Sequence, residues 1–453
     1  MRRGFLRTPA RPFSLRPPQV IVAGFAAAVL LGVALLSIPA ATEGPGGAPF
    51  TTAAFTAVSA VTVTGLVAVD TATYWSPFGQ AVIIGLVQLG GLGIVTSASI
   101  LILVVSRRVG LRGRLRAQAE VRTSGDLASL RRLTAFIVAF TFAVEAAVVA
   151  ALTLRLWLGY DRSFGRALWE GIFNGVGAFN QAGFSLYSDN LIGFATDALI
   201  LVPIALAVII GGVGFPVWLE LRRRPRTPSR WTLHTKLTLV TTFALLVIGF
   251  IMLTGLEWGN PDTLGGENPA GKLLGGFFAA VTARSAGFNT VDYADMGTDS
   301  LLVTDLLMFV GGGSASPAGG IKVTTFAILL LIVWAELRSE REVAAFERAI
   351  PATTLRQALT VAVIAINAVV IATLILVASN DLGLSSGLFE SVSAFSTTGL
   401  STGVTGDLDT LGQAILMVLM FLGRVGPITL GVALVLRERE RRFSHPEERP
   451  IVG

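Results

Sequence analysis

The chain has 453 residues, of which 53% are hydrophobic and only 14% are charged, and its formal net charge is +6. Soluble domains carry roughly a quarter charged residues, so this composition excludes an ordinary soluble globule. The absence of cysteine excludes disulfides, thiolate metal sites and a cysteine nucleophile. The apolar residues fall in blocks of about 20, the length that crosses a bilayer as a helix. The composition therefore predicts a polytopic helical membrane protein.

Eight long apolar stretches alternate with shorter, semi-polar segments. The long stretches lie at 20–41, 77–105, 133–156, 196–220, 232–255, 301–335, 356–378 and 411–436. The short segments lie near 51–62, 167–180, 273–284 and 386–396. Because the short segments cannot cross a bilayer, we predict eight transmembrane helices and four re-entrant helices. The first long stretch lacks a convincing small-residue cleavage site, which favours a retained helix over a cleaved signal peptide.

Each short segment ends in a polar turn with one glycine, and these turns share a register. The glycines are Gly65, Gly183, Gly287 and Gly399, and the residues ten positions earlier are Phe55, Phe173, Phe277 and Phe389. A second glycine follows in each unit, at Gly90, Gly211, Gly311 and Gly423. A mere abundance of phenylalanine and glycine in membrane helices does not explain the fixed offset. We predict an all-α fold of four span, re-entrant pore helix, span repeats around a pseudo-fourfold pore, each with a glycine-interrupted second span.

The repeats divide the chain into nine segments. The four repeats are 20–106, 133–220, 232–335 and 356–436, the connecting loops are 107–132, 221–231 and 336–355, and the terminal segments are 1–19 and 437–453. Of the 35 basic residues, 28 lie in the terminal segments or in and beside the connecting loops, whereas the opposite side has 4 basic and 17 acidic residues. The positive-inside rule therefore predicts cytoplasmic termini and an acidic outer face. We therefore attribute the positive net charge to the orientation of the chain in the membrane. Membrane lipid is an expected partner, and no nucleic-acid partner is expected.

The four polar turns are candidates for an ion filter. Turns of small and hydroxyl residues can point carbonyl oxygens inward, and rings of carbonyls replace the water shell of a potassium ion. The predicted filter residues, which are also the only predicted metal ligands, are Thr62, Val63, Thr64, Gly65, Asn180, Gln181, Ala182, Gly183, Ser285, Ala286, Gly287, Ser396, Thr397, Thr398 and Gly399. We expect Arg284 to point behind the filter towards a carboxylate, because a guanidinium facing the ions would repel them.

The third repeat contains a glycine-rich run that a helix cannot cross without breaking. We predict an intramembrane loop at 311–320 that obstructs the pore until it is displaced, although a packing kink is an alternative. Its residues are Gly311, Gly312, Gly313, Ser314, Ala315, Ser316, Pro317, Ala318, Gly319 and Gly320. Two cations at membrane depth complete the candidate gate. Arg424 is expected to bond loop carbonyls, whereas Lys322 either contributes to the gate or extends to the cytosolic interface.

With these four units, single-glycine turns and the broken third repeat, nearly the whole chain resembles the Trk/Ktr/HKT potassium-transporter superfamily, and in particular the membrane subunit of bacterial Ktr systems. The resemblance implies potassium uptake across the bacterial cytoplasmic (inner) membrane, a homodimer, and a cytosolic nucleotide-binding ring that gates the pore. It also implies gate roles for the loop and for Arg424. Glycine at all four filter positions favours potassium over sodium in that superfamily, but Gln181 stands where its members often have asparagine.

Two alternatives remain open at this point. A secondary cation transporter, coupled to sodium or protons, also uses broken helices around a midplane site, and sodium as an activator is unresolved. An enzyme is disfavoured, because the only histidines, His234 and His445, lie near the cytosolic face and no carboxylate cluster is expected at membrane depth. No covalently bound cofactor is expected. A scaffold without transport would leave the four matched turns unexplained.

Overall fold

The computed structural model describes residues 17–108 and 127–436. The terminal segments, apart from residues 17–19, and most of the loop 107–132 therefore lie outside the described residues. The described helices are α1 Pro17–Leu36, α2 Phe50–Val61, α3 Thr71–Tyr74, α4 Pro77–Arg108, α5 Leu127–Gly159, α6 Phe164–Asn180, α7 Ala198–Val213, α8 Phe215–Arg223, α9 Leu233–Glu257, α10 Pro269–Thr282, α11 Thr298–Phe309, α12 Val323–Leu337, α13 Ala352–Asn380, α14 Leu384–Ser396 and α15 Thr410–Leu436. Two short strands, β1 Ala344–Ala345 and β2 Arg348–Ala349, form an antiparallel hairpin between α12 and α13.

The helices follow the alternation of apolar stretches. Each long stretch is largely helical, and each short segment forms a single helix, namely α2, α6, α10 or α14, hereafter the pore helices. Within the described residues, the helices long and apolar enough to cross a membrane alone are Arg132–Gly159, Leu233–Glu257 and Ala352–Asn380, and α7 with α8 forms a fourth, bent span. Helical starts follow local chemistry, since Asn268 accepts a hydrogen bond from Gly271 N and Pro269 opens α10.

The four repeats close into a ring. The second span of each repeat packs on the pore helix of the next repeat: α4 on α6, α7 on α10, and α11 on α14. The last span, α15, packs on the first pore helix, α2, and completes the circle. The pore helices therefore stand inside a closed ring of spans, as the predicted pseudo-fourfold fold requires.

The second spans differ in continuity. In the second repeat, α7 and α8 meet at Gly214 with a bend of 90°, where Gly214 has a left-handed φ of +94°. In the third repeat, residues 310–322 separate α11 from α12. By contrast, α4 and α15 run unbroken past Gly90 and Gly423. The expectation of a glycine interruption in every second span is therefore wrong for the first and fourth repeats.

In the first, second and fourth repeats, the glycine of the second span permits close packing against the pore helix. A Cβ atom on Gly90 would lie 2.1 Å from Val61 O, one on Gly211 would lie 2.3 Å from Phe179 O, and one on Gly423 would lie 1.7 Å from Phe395 O. Each of these carbonyls belongs to the residue four positions before a filter glycine. The glycines therefore let each second span lie against the end of its own pore helix. In the third repeat, Gly311 instead meets Gly319 O.

Candidate ion-conduction site

All four polar turns share an unusual backbone conformation. The residue two positions before each filter glycine has a positive φ: Val63 56°, Gln181 65°, Ser285 85° and Thr397 48°. Among the filter glycines, Gly65, Gly287 and Gly399 are also left-handed, with φ of 89°, 73° and 93°. Side chains other than glycine, asparagine and aspartate seldom adopt this region. Four matched exceptions at one register position support a common functional shape for the turns.

The four glycines form a ring of close backbone contacts. A Cβ on Gly65 would lie 2.3 Å from Gly183 N, and one on Gly183 would lie 2.6 Å from Gly287 O. A Cβ on Gly287 would lie 2.3 Å from Thr398 O, and one on Gly399 would lie 2.1 Å from Thr64 O. The contacts run through the repeats in order and return to the first. Any larger residue in this ring would require the backbone to move.

Hydrogen bonds from the pore helices hold the turns. In three repeats, the amide one position before the glycine donates to the carbonyl six positions before it: Thr64 to Ser59, Ala182 to Gly177, and Thr398 to Ser393. In the first and fourth repeats, the glycine amide donates to a serine Oγ, that of Ser59 or Ser393, at 3.1 Å. Buried hydroxyls remain on the fourth turn, where the Oγ atoms of Ser396, Thr397 and Thr398 have no hydrogen-bond partner.

The third turn is tighter by one residue. Its Ala286 amide donates to Thr282 O, five positions before Gly287 rather than six. This change rotates the helix register, so that Phe278 is fully buried and Phe277 is only half-buried. In the other repeats, Phe55, Phe173 and Phe389 are fully buried. The offset of ten residues therefore finds the buried phenylalanine in three repeats. In the third repeat it finds Phe277, whereas the buried equivalent is Phe278.

Arg284 does not reach a carboxylate, which corrects the sequence expectation. Its Nη2 donates to Gly311 O at 3.1 Å, and neither ion pair found in the described part of the chain involves it. The carbonyl of Gly311 is free to accept because α11 has ended at Phe309 and no helical amide follows. Arg284 therefore connects the third filter turn to the start of the intramembrane loop.

A cavity of about 370 Å³ opens above the ring of glycines. Its lining includes Gly65, Gly183 and Gly399 together with three carboxylates, Asp70, Asp189 and Asp292. Asp189 accepts from Gly193 N at 3.0 Å and Asp292 from Ala294 N at 2.9 Å, so both are fixed by their own loops. We call this cavity the mouth. Its acidic wall would concentrate cations next to the filter.

Asp70 is the most firmly held carboxylate of the mouth. Burial raises its pKa, but hydrogen bonds from Ser188 Oγ, Ala72 N and Thr73 Oγ1 lower it more, and the pKa lies below the ordinary value of 3.8. The folded mouth is therefore stabilised by these bonds above pH 3.8, and this stabilisation is lost as the pH falls through the lowered pKa. Asp70 stays anionic at neutral pH.

We expect Asp70→Asn to lower the initial rate of cation uptake about two- to threefold at low ionic strength, and less near 0.15 M salt, where screening shortens the field to about 8 Å. The measurement is flux in proteoliposomes at the two ionic strengths. The matched control is Asp381→Asn, since Asp381 is exposed and does not line the mouth. An equal effect of both substitutions, or no dependence on salt, would contradict the role of Asp70.

The intramembrane loop leaves and re-enters through a narrow neck. Val310 and Ile321 form a parallel β-bridge, in which Gly311 N donates to Ile321 O at 2.9 Å and Ile321 N to Phe309 O at 3.2 Å. Ser316 Oγ donates to Gly313 O within the loop at 2.7 Å. The residues between the two ends are buried apart from Ser314 and Ala315, which are half-buried. The segment is therefore a compact, internally hydrogen-bonded loop rather than a kink in a helix.

One end of the loop touches the filter. Ser285 Oγ accepts a hydrogen bond from Gly319 N at 2.9 Å and lies 3.2 Å from Ser396 O as a donor. A Cβ on Gly319 would lie 2.0 Å from Thr397 Oγ1. The hydroxyl of Ser285 thus joins the third filter turn, the fourth filter turn and the loop.

The other side of the loop rests on the break in the second repeat. Gly313 N donates to Gly212 O at 2.7 Å, and Phe215 N donates to Ala315 O at 3.4 Å. A Cβ on Gly214 would lie 2.6 Å from Ser314 O. The left-handed bend between α7 and α8 therefore makes room for the loop. The repeat pattern predicts a glycine interruption in this span near Gly211, and the break lies three residues later at Gly214, where the sequence Gly214, Phe215, Pro216 carries a helix-end glycine and a helix-start proline.

The two cations of the candidate gate both bond loop carbonyls. Arg424 Nη1 donates to Pro317 O, a carbonyl of the loop. Arg424 is buried, and its Nε and Nη2 atoms have no hydrogen-bond partner. Lys322 Nζ donates to Ala318 O, so Lys322 bends back onto the loop instead of extending to the membrane interface. This contact favours its gate alternative over the interfacial one.

Four of the 17 carboxylates counted on the outer face, Glu170, Glu257, Asp305 and Glu390, are instead buried among helices. Asp305 on α11 is 6% exposed and Glu390 on α14 is fully buried. Glu390 accepts hydrogen bonds from Ser401 Oγ at 2.6 Å and Thr405 Oγ1 at 2.7 Å, in the segment that follows the fourth filter turn. A charge count assigns a residue to one side of the membrane from its distance to a loop. It cannot show that neighbouring helices enclose the side chain. Within the described ranges, no group of three or more His, Asp or Glu residues could hold a metal ion.

The ring of four pore helices, the closed circle of filter turns and the apolar spans around them define a polytopic membrane protein built for transport. The fold is similar to the crystal structure of the potassium transporter TrkH from Vibrio parahaemolyticus, with a TM-score of 0.74 at 17% identity, over 93% of this chain and 86% of that one. The family described as TrkH, cation transport protein, matches residues 34–444. The chain therefore belongs to the TrkH family of cation transport proteins, and it is not an enzyme.

Two relatives match over nearly their whole length. The chain is 39% identical to the Ktr system potassium uptake protein B of Bacillus subtilis, covering 96% of this chain and 97% of the relative. It is 33% identical to the potassium/sodium uptake protein NtpJ of Enterococcus hirae, covering 97% of this chain and 98% of the relative. These matches confirm the superfamily that the repeats and filter turns indicate.

Proposed function

We propose that this protein takes up potassium through a channel-like pore whose filter is the ring of four polar turns. The observation that carries this proposal is the ordered contact of Gly65, Gly183, Gly287 and Gly399 around one axis. The left-handed residue two positions before each of these glycines gives the four turns a matched backbone conformation, which supports a shared role in coordinating a dehydrated cation. The relatives named as potassium uptake proteins support potassium as the transported ion.

The loop 311–320 is proposed as the gate and the described conformation as its closed state. The loop lies against the fourth filter turn at Gly319 and against the second repeat at Gly212, so it crosses the space beneath the filter. Arg424 supplies a buried positive charge at the same place. Ions leaving the filter would meet both a steric and an electrostatic barrier.

The mouth is proposed to face the outside and the basic loops to face the cytosol of a bacterium, within its inner membrane. The chain has no native cysteine, so single cysteines report orientation cleanly. We expect Asp381→Cys to react with a membrane-impermeant maleimide in intact cells, and Ser229→Cys to react only after permeabilisation. Both positions are exposed. The reverse labelling pattern would contradict this orientation.

We also propose that the protein works as a homodimer with a cytosolic nucleotide-binding ring. One relative is named as part of a Ktr system, which supports an assembly of more than one component. The proposed docking surface consists of the basic segments 107–132, most of which lies outside the described residues, and 222–236, whose Lys236 Nζ lies 5.6 Å from the centre of the Phe346 ring between β1 and β2. Within 222–236, Trp231 Nε1 donates to Arg224 O at 2.9 Å, so the backbone of this segment has a defined shape.

A secondary cation transporter is the second candidate. The contact between two broken spans, α7–α8 and α11–α12, favours it, since broken helices also form binding sites in transporters. The relative named as a potassium/sodium uptake protein makes sodium a candidate substrate or activator.

Expression in a bacterial strain without its own potassium uptake tests the proposed function. We expect growth at low external potassium when the chain is expressed and no growth with an empty vector. Replacement of potassium by sodium in the medium should not restore growth. Absence of rescue by both the unmodified chain and the chain that lacks residues 312–319, when each reaches the membrane, would contradict potassium uptake.

A further inference from the structure

Glu145 is a buried carboxylate on α5 that the proposed pore and gate do not use. It is 3% exposed. Its Oε1 accepts a hydrogen bond from Asn180 Nδ2 at 2.9 Å, and its Oε2 accepts one from Gln88 Nε2 at 3.3 Å. Neither donor is a cation, and neither ion pair of the described residues includes Glu145. Burying a carboxylate at membrane depth costs free energy, so ionisable residues at this depth are candidates for a function.

Asn180 connects this carboxylate to the filter. It is the last residue of α6 and directly precedes Gln181, the left-handed residue of the second filter turn. Its Nδ2 also lies within hydrogen-bond distance of Gln88 Oε1, at 2.7 Å, and of Val176 O in its own helix, at 3.0 Å. A Cβ added to Gly91 would lie 1.9 Å from Asn180 Oδ1. The Asn180 side chain is therefore locked between α4 and α5, and only glycine at position 91 leaves room for it.

The corresponding side chains of the other repeats are anchored differently. Three positions before each filter glycine, Thr62 Oγ1 bonds Val58 O in its own helix, and Arg284 bonds Gly311 O in the loop. Ser396 Oγ has no hydrogen-bond partner. Within the described part of the chain, the second filter turn alone is tied by its residue at this position to a carboxylate on a surrounding span.

We infer that Glu145, together with Gln88 and Asn180, positions the second filter turn and thereby determines selection of potassium over sodium. This inference rests on the proposed function. Removal of the carboxylate would leave Gln88 Nε2 buried without its acceptor and would release Asn180 Nδ2 from α5, so that only Gln88 Oε1 and Val176 O would hold it. Asn180 would then shift, and the carbonyls at Gln181 and Ala182 would shift with it. Selection between potassium and sodium depends on the arrangement of these carbonyls, whereas the overall fold of the protein does not depend on it.

The test compares rubidium and sodium flux in proteoliposomes for Glu145→Leu, Glu145→Gln and Thr141→Val. We expect Glu145→Leu to lower the rubidium-to-sodium ratio about tenfold, which corresponds to ~1.4 kcal/mol. Glu145→Gln keeps an acceptor for Asn180 and should stay within about twofold of the unmodified chain. Thr141 lies one turn earlier on α5, and its buried hydroxyl has no partner. Thr141→Val is therefore a matched control, expected to leave the ratio unchanged.

Several outcomes would overturn the inference. A folded Glu145→Leu protein with an unchanged ratio would do so, as would an equal loss in Thr141→Val or no rescue by Gln. If Glu145→Leu does not fold, Gln88→Leu replaces it, and an unchanged ratio in that variant has the same meaning. Absence of rubidium flux in both the unmodified chain and the chain that lacks residues 312–319 would instead contradict the proposed function, so the two failures are distinguishable.

Discussion

Deletion of residues 312–319 is expected to raise rubidium flux at least about tenfold in proteoliposomes that contain no cytosolic partner. The neck makes this deletion feasible, because Gly311 N already bonds Ile321 O and the ends of the deleted segment lie side by side. The deletion removes the contacts of the loop with the fourth filter turn and with Gly212. The spans on either side, α11 and α12, keep their bounds. Flux would then no longer depend on displacement of a buried plug.

Arg424→Ala should act in the same direction with a smaller or equal effect. It removes the hydrogen bond to Pro317 O and the buried charge beneath the filter. A hydrogen bond to a charged group contributes about 1.5–3 kcal/mol, so the closed state should lose roughly a factor of ten or more. Arg424→Lys retains the charge and serves as the matched variant, with flux expected nearer to that of the unmodified chain. Unchanged flux in both the deletion variant and Arg424→Ala would show that the loop and Arg424 do not close the pore.

Gly399→Ser is expected to reduce the preference for potassium over sodium at least about tenfold. Gly399 has a φ of +93°, and an added Cβ would lie 2.1 Å from Thr64 O. The substitution must therefore either displace the first filter turn or open the ring. Either change alters the distances between the carbonyl oxygens. Because coordination of an ion depends on how well these distances match its radius, the preference for potassium should fall.

The chain offers a close control for this substitution. Gly403 also has a left-handed φ, +87°, but nothing lies within 4 Å of an added Cβ. Gly403→Ser therefore carries the same backbone cost, about 1–2 kcal/mol, without a clash in the ring. We expect Gly403→Ser to lose thermal stability through this backbone cost alone, Gly399→Ser to lose more because of the clash, and only Gly399→Ser to lose selectivity. Equal selectivity in both would contradict the assignment of the filter.

The repeat architecture could be predicted because hydrophobic length and a conserved register within one chain are local properties. The alternation of long and short apolar segments anticipates the four pore helices, although the long stretches 196–220 and 301–335 each divide into two helices. The polar turns before Gly65, Gly183 and Gly399 coincide with matched backbone turns. The third turn shows the limit of such counting. One tighter hydrogen bond, from Ala286 N to Thr282 O, shifts the buried phenylalanine to Phe278 without any change in the sequence pattern.

The connections between repeats could not be predicted in the same way. Arg284 bonds Gly311 O rather than a carboxylate, because the end of α11 exposes a carbonyl that only the folded arrangement reveals. Glu390 and Asp305 are buried because neighbouring helices enclose them, not because of their distance from a loop. Charge counts assign such residues to a side of the membrane, whereas burial depends on which helices are neighbours.

The most direct test of the pore is the dependence of rubidium flux on rubidium concentration for the unmodified and loop-deleted chains in proteoliposomes. A conducting pore of this kind predicts that the deleted chain passes rubidium at a rate that keeps rising with concentration, that sodium passes far more slowly, and that Gly399→Ser removes this difference. Flux that saturates like a carrier in both chains, or no flux at all, would contradict a four-turn potassium pore.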